Sequence, residues 1–177
     1  MAFIPRGTIS VSICFLIQPF DAGKFDKRYE DVFKPAVEDA GLEPYRVDRD
    51  DGVEVPIDAI EEGLRNSTIC LAEITTDNPN VWYELGFARA AGRPVVMISS
   101  DKRKKKYPFD IQHRSIIPYR TDSSSDFAEL RAAITSKLKA LLLKGERIDE
   151  IAQATQVSDI EACHPPRSYS WPVLQRI

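Results

Sequence analysis

The chain of 177 residues is poor in the residues that disulfide and metal chemistry require. It has three cysteines, Cys14, Cys70 and Cys163, and two histidines. Three cysteines cannot all pair with one another, and Cys14 and Cys70 fall in apolar stretches that read as strands. They are read as buried, reduced thiols of a cytoplasmic protein. No Cys/His spacing matches a zinc site, so no metal is expected in the chemistry. The net charge of −3 is too small to pull the chain toward nucleic acid or a membrane surface. No apolar run reaches the length of a bilayer span. The first residues, MAFIPR, lack the basic start and long apolar stretch of a signal peptide. Neither GxGxxG nor a P-loop occurs, which argues against a Rossmann dehydrogenase and an NTPase.

What is present is an alternation of strand and helix patterns. Ile9–Ile17 alternates and then becomes wholly apolar (CFLI), as a strand entering the middle of a sheet does. Phe25, Tyr29, Val32, Phe33, Ala36, Val37 and Ala40 share one helical face, closed by Gly41, and Pro35 predicts a kink or a fresh start inside it. A short strand is expected at Pro44–Val47 and a polar turn at Asp48–Glu54. Pro56 opens a helix with Ile57, Ile60 and Leu64 inward. Thr68–Ala72 reads as a third strand, Asn78–Gly92 as a helix, and Pro94–Ile98 as a fully apolar, central strand. Ser115–Tyr119 reads as an edge strand, because Pro118 cannot donate to a ladder. Asp126 with Glu129 suggests a helix start. Phe127, Leu130, Ile134, Leu138 and Leu141 line that helix, and Gly145 is expected to stop it.

This order predicts an α/β fold: an open parallel sheet of about five strands with helices on both faces. Ligands of such sheets bind beyond the carboxyl ends of the strands. There the sequence places Gln18–Asp21, Asp48–Asp51, Glu73–Asp77 and Ser99–Asp101, all polar, so Asp48, Glu73 and Ser99 become candidates for substrate contact. Two segments are expected: a domain over residues 1–145 and a tail over 146–177 that packs on itself or on a partner. Arg147–Ala162 faintly suggests a helix-turn-helix but is too short to complete one, so nucleic acid is not an expected partner. Trp171 and Leu174 could anchor the tail.

One carboxylate stands out. On a helical wheel of roughly 100° per residue, Val81, Leu85, Ala88 and Gly92 form the centre of one face of Asn78–Gly92. Glu84 falls between Ala91 and Ala88, inside the apolar arc rather than on the solvent side. A capping box does not explain it, because a cap at Asp77 or Asn78 puts Asn80 or Val81 at the box position. The helix dipole would favour it by a few tenths to about 1 kcal/mol. A buried ion pair with Arg46 or Arg114 remains open beside a functional role. A carboxylate that is ionised yet poorly hydrated suits a sugar C1 cation, the species through which glycosidic bonds break. With a good leaving group, such as a cationic nicotinamide ring, one carboxylate suffices.

The stretches CFLIQPF, KRYEDVFKPAVEDAGL, YRVDRDD, IEEGLRNSTICLAEITTDNPNVWYELGFARAAGRPVVMI and YPFDIQHRSIIPY together resemble the TIR-like nucleotide-binding proteins of bacteria, which are related to nucleoside 2-deoxyribosyltransferases. The resemblance spans roughly Ser12–Leu143, and NPNVWYELG is its most specific piece. It implies a flavodoxin-like sheet and makes Glu84 the catalytic group acting at the sugar C1 of NAD or a nucleoside. Asp58 matches an acidic residue that holds ribose hydroxyls in the transferases. Asn78, with Asp77 beside it, stands where the transferases have a second acidic residue, a departure that weighs against that activity. Glu73-Ile-Thr75 replaces an Asp-led triplet.

Further positions have two readings each. Phe20 could stack on a base or nicotinamide, or be a buried loop aromatic. Tyr83 and Trp82 could be core or pocket. Phe109–Arg114 is read as pocket rim, with Arg114 as a phosphate or carboxylate partner. Lys102–Lys106 reads as a solvated loop that could also steer an anionic dinucleotide. The expectation is an NAD-cleaving enzyme, hydrolysing or cyclising, that acts in bacterial antiphage defence and assembles as a homo-oligomer on activation. NAD would be substrate rather than cofactor. A nucleoside deoxyribosyltransferase or nucleosidase, and a non-catalytic nucleotide-binding module, are the alternatives.

Overall fold

The structure is a computed structural model that describes residues 12–49 and 56–162. The start of the first expected strand, the far half of the Asp48–Glu54 turn, Cys163, Trp171 and Leu174 lie outside the described residues. Five strands form one sheet: β1 (Ile13–Ile17), β2 (Glu43–Tyr45), β3 (Ile69–Glu73), β4 (Val95–Ser100) and β5 (Ile116–Tyr119). Their order is β2-β1-β3-β4-β5, and every neighbouring pair is parallel. This is the flavodoxin-like arrangement, whose topological switch lies between β1 and β3. β5 is an edge strand, as Pro118 requires.

The first helical stretch is broken where Pro35 demands it. α1 (Lys24–Arg28) runs into a π-helical turn (Tyr29–Phe33) and then α2 (Lys34–Asp39). Proline cannot bond the carbonyl four residues back and its ring crowds that carbonyl, here Asp31, and the π turn absorbs the misfit. A 3₁₀ turn (Val47–Arg49) follows β2. α3 (Pro56–Asn66) and α4 (Pro79–Ala90) come next in the order β-α-β. Gly92, at φ +74°, ends α4: its N–H donates to Arg89 O at 3.0 Å and that of Arg93 to Ala88 O at 2.9 Å.

Period-two alternation in the strands divides the core. Cys14, Leu16, Ile69, Leu71, Val96 and Ile98 face α2, the π turn and the buried side of α5. Phe15, Ile17, Cys70, Ala72 and Met97 face α3 and α4, packing on Leu64, Val81, Leu85 and Ala88. α3 lies close to the sheet at Gly63, where an added Cβ would sit 2.6 Å from the Phe15 ring.

α5 (Ser124–Ala162) corrects two expectations. Its start is one turn earlier than Asp126/Glu129. Asp126 accepts the Ser123 N–H at 2.9 Å while Ser123 Oγ accepts the Asp126 N–H at 3.3 Å, a reciprocal capping box. Gly145 does not stop the helix. One glycine in a helix costs about 1 kcal/mol against alanine, and the flanking Leu, Lys, Glu and Arg residues favour continuation. Residues 147–162 are continuous helix, so no helix-turn-helix forms there. The chain divides into two compact units, Met1–Leu142 and Leu143–Ile177. In the second, Leu143, Ile148 and Ile151 are exposed. No helix among the described residues is long and apolar enough to cross a membrane.

Candidate active site

The site is built on the loop from β3 into α4. Asn78 caps the helix: its Oδ1 accepts the N–H groups of Asn80 at 2.9 Å and Val81 at 3.4 Å, and Pro79 follows at the first helical position. Arg103 ties the loop down. Its guanidinium donates to the carbonyls of Ile74 (2.8 Å), Thr75 (3.2 Å) and Lys106 (3.0 Å) and to Asp77 (2.6 Å), and its side chain is 5% exposed. The basic run is therefore solvated except at Arg103, which lies against the rings of Trp82 and Tyr107.

Held by that cap, α4 turns Glu84 inward. Glu84 is 5% exposed, on the same face as Val81, Leu85 and Ala88. Among the described residues it has no hydrogen bond and no ion pair. The two arginines that could have paired with it do not: Arg114 is exposed, and Arg46 is engaged elsewhere. Burial, with the negative charge of Asp48 second, pushes the Glu84 carboxyl up to about 7. A group so placed exists in both protonation states at neutral pH.

Asp48 lies in the 3₁₀ turn after β2. Its carboxylate is gripped by Arg46, with Nε on Oδ1 at 2.9 Å and Nη2 on Oδ2. The same Nη2 donates to Asp26 at 2.8 Å. The Arg46 guanidinium lies 4.5 Å from the Tyr29 ring and 5.5 Å from that of Phe20, and its Nη1 has no acceptor among the described residues. Phe20 is half exposed over this group. The structure thus gathers Phe20, Arg46 and Asp48 beyond the carboxyl ends of β1 and β2, and carries Glu84 on α4, the helix that follows β3.

The remaining candidates are placed apart or are engaged. Glu73 points from β3 to the opposite face of the sheet from Glu84, in register with Ile69 and Leu71. It accepts from the Thr75 N–H at 3.2 Å, from the Thr75 hydroxyl, and from Tyr119 Oη at 3.0 Å. Tyr83 is exposed, donating to Glu61 of α3 at 2.5 Å with its ring on Phe87. Asp58 is exposed on the first turn of α3. Ser99 is buried on the α4 face of β4, its hydroxyl donating to the Ser100 carbonyl at 3.4 Å. Arg114 is exposed and makes no side-chain hydrogen bond or ion pair among the described residues, and Asn78 spends its amide oxygen on the cap.

Three positions escaped the sequence reading: Arg46 as a clamp rather than a partner of Glu84, Asp26, and Arg103. Arg46 had a signal, a lone cation between Tyr45 and Val47 where a strand runs into the core. Cys14 and Cys70 are free, buried thiols, both pushed up by burial.

No protein-family model and no curated protein matches the chain. Among solved structures it is similar to the CMP N-glycosidase BcmB of Clostridium botulinum, at 17% identity over 67% of this chain and 96% of that one, with a TM-score of 0.47.

Proposed function

We propose that the chain breaks an N-glycosidic bond at the C1 carbon of a ribosyl group, with NAD as the substrate, and that Glu84 is the reacting carboxyl. The observation that supports this is a carboxylate 5% exposed, with no hydrogen bond or ion pair among the described residues, on the helix that follows the carboxyl end of β3. A structural glutamate in that place would have a partner. In the reaction the C1–N bond breaks and its electron pair neutralises the nicotinamide nitrogen. The Glu84 carboxylate stabilises the cation left on C1, or bonds to it. Water then adds to C1 and gives up a proton to solvent or to Glu84. Because the leaving group is already cationic, no acid is needed, so the ionised form of Glu84 is the active one.

The finer setting rests on the NPNVWYELG resemblance: a TIR-like enzyme of bacterial antiphage defence, cytoplasmic, hydrolysing or cyclising NAD and assembling as a homo-oligomer on activation. Product analysis after incubating concentrated protein with NAD tests the reading. ADP-ribose or its cyclic form, with nicotinamide, is expected, and neither should appear with Glu84→Gln. Base exchange between deoxynucleosides without NAD loss would instead make the chain a transferase. Asn78 weighs against that outcome, because its oxygen is committed to the helix cap. Tight NAD binding without product would make it a binding module.

A further inference from the structure

The face of the sheet opposite Glu84 carries a feature that the proposed reaction does not use. Between α1, the π turn and the start of α5 lies a groove of about 400 Å³, a size that holds a small organic molecule. Val32 and Phe127 give it an apolar floor. Lys24, Lys27 and Arg28 stand around that floor with one acid, Asp31. Lysine and arginine stems are hydrocarbon, so the walls are apolar and the rim is positive.

Arg28 is held in place but not neutralised. Its Nη1 donates to Tyr119 Oη at 2.9 Å, and its guanidinium lies 5.4, 5.5 and 6.0 Å from the rings of Phe25, Tyr119 and Phe127. Three rings and a phenol oxygen fix its plane. No carboxylate pairs with it among the described residues, and its Nε and Nη2 have no acceptor there. Elsewhere the chain spends its buried guanidinium groups on carboxylates: Arg46 on Asp26 and Asp48, Arg103 on Asp77. Lys27 stands four residues before Asp31, the spacing of an α-helical ion pair. The π turn between them changes that spacing, and no pair forms among the described residues. Lys24 lies over the Phe25 ring at 4.9 Å.

We propose that this groove is a binding site for a small organic anion, a carboxylate on a hydrocarbon body. The free edge of Arg28, Nε with Nη2, matches the two oxygens of a carboxylate. Lys24 and Lys27 add positive charge at the rim, and the body lies against Val32 and Phe127. A bare inorganic anion would leave the apolar floor wet, and an uncharged hydrocarbon would leave the guanidinium without a partner. The site stands independently of the reading of Glu84, which lies on the other face of the sheet.

The test is a set of proton–nitrogen NMR titrations of the whole chain with octanoate, octanol and inorganic phosphate at one ionic strength. Octanoate should give saturable shifts confined to α1, the π turn and the first turns of α5, with a Kd below about 1 mM. Octanol and phosphate should each bind at least about tenfold more weakly. Lys24→Glu with Lys27→Glu changes only exposed side chains. That double variant should weaken octanoate about tenfold and leave octanol unchanged. Arg28→Gln should weaken octanoate by about ten- to a hundredfold, with Arg28→Lys between it and wild type, since the charge is kept and the fork is lost. Octanoate shifts that do not saturate, or that lie elsewhere, overturn the proposal. Octanol binding as tightly would make the groove a plain apolar hollow, and phosphate binding as tightly would make it a diffuse basic patch; either result overturns it. So does unchanged octanoate binding in the lysine double variant or in folded Arg28→Gln. Should the Arg28 variants fail to fold, as circular dichroism would show, the lysine variant and the two control ligands decide. NAD cleavage is not a readout here, so failure of the N-glycosidic reading leaves the site standing, and failure of the site leaves that reading untouched.

Discussion

Glu73 and Glu84 are both buried glutamates near the carboxyl end of β3, 1% and 5% exposed, and both are pushed upward by burial. Their surroundings differ. Glu73 receives donors from Thr75 and Tyr119 on one oxygen, Oε1, which oppose the effect of burial, while its Oε2 has no partner among the described residues. Tyr119 in turn accepts from Arg28 at 2.9 Å, and the Thr75 hydroxyl accepts from the Ser100 N–H at 2.7 Å. That network ties β3, β4 and β5 to α1. Glu84 has no donor among the described residues, only burial and a neighbouring negative charge. One carboxyl fastens strands, and the other makes no hydrogen bond among the described residues. Burial alone does not distinguish the two carboxyls; the donors that reach Glu73 do.

The sharpest way to break this contrast is to neutralise each acid in turn. Glu84→Gln should lower NAD turnover by at least about a hundred- to a thousand-fold, read as product formed per unit time. A drop of the same size in Glu73→Gln, with the fold intact, would make the two acids equivalent and end the distinction.

Stability should move the opposite way. The Glu84 carboxyl titrates at about 7 in the folded chain against an ordinary 4.5. Between those values the folded chain keeps a proton that the unfolded chain has released. Stability therefore falls as pH rises through that window, by about 3 kcal/mol in total, and is flat above it. Glutamine resembles the neutral acid, so Glu84→Gln should be more stable than wild type at pH 8 by about that amount, and near equal at pH 4.5, as judged by denaturant midpoints. Glu73→Ala should instead destabilise at both pH values, by about 1–3 kcal/mol, because it strands the Thr75 and Tyr119 donors. Tyr119→Phe, which removes a single hydroxyl from the network, should cost about 1 kcal/mol.

The smallest effect concerns pH. Since the ionised carboxylate is the active form, NAD cleavage should rise through pH 7 and level off. A rate that falls across the same range would assign Glu84 as an acid and point to a neutral base as leaving group.

Much of the fold was legible because it is written in short-range patterns. Strand alternation at Cys14–Ile17 and at Ile69–Ala72, and the apolar stripe Phe127–Leu141, depend on neighbours two to four residues away. The inward turn of Glu84 was legible for the same reason. Gly145 misled because a glycine ends a helix only when the next residues leave it, and its own preference is weak. The surroundings of Glu73 were not legible, because its alternation with Ile69 and Leu71 tells that it shares their face, not which helices cover that face.

The sequence by itself therefore determined the order of strands and helices, the Pro35 interruption, a helix cap at Asp77 or Asn78 and the inward arc of Glu84. All of these follow from backbone sterics and local hydrogen bonding. Only the tertiary structure decided that Arg46 binds Asp26 and Asp48 instead of Glu84, that Arg103 leaves the basic run to fasten the β3–α4 loop, and that Glu73 and Glu84 lie on opposite faces of the sheet. A charged side chain can satisfy its burial with any partner within reach, and which partners come within reach is set by packing between residues distant in sequence.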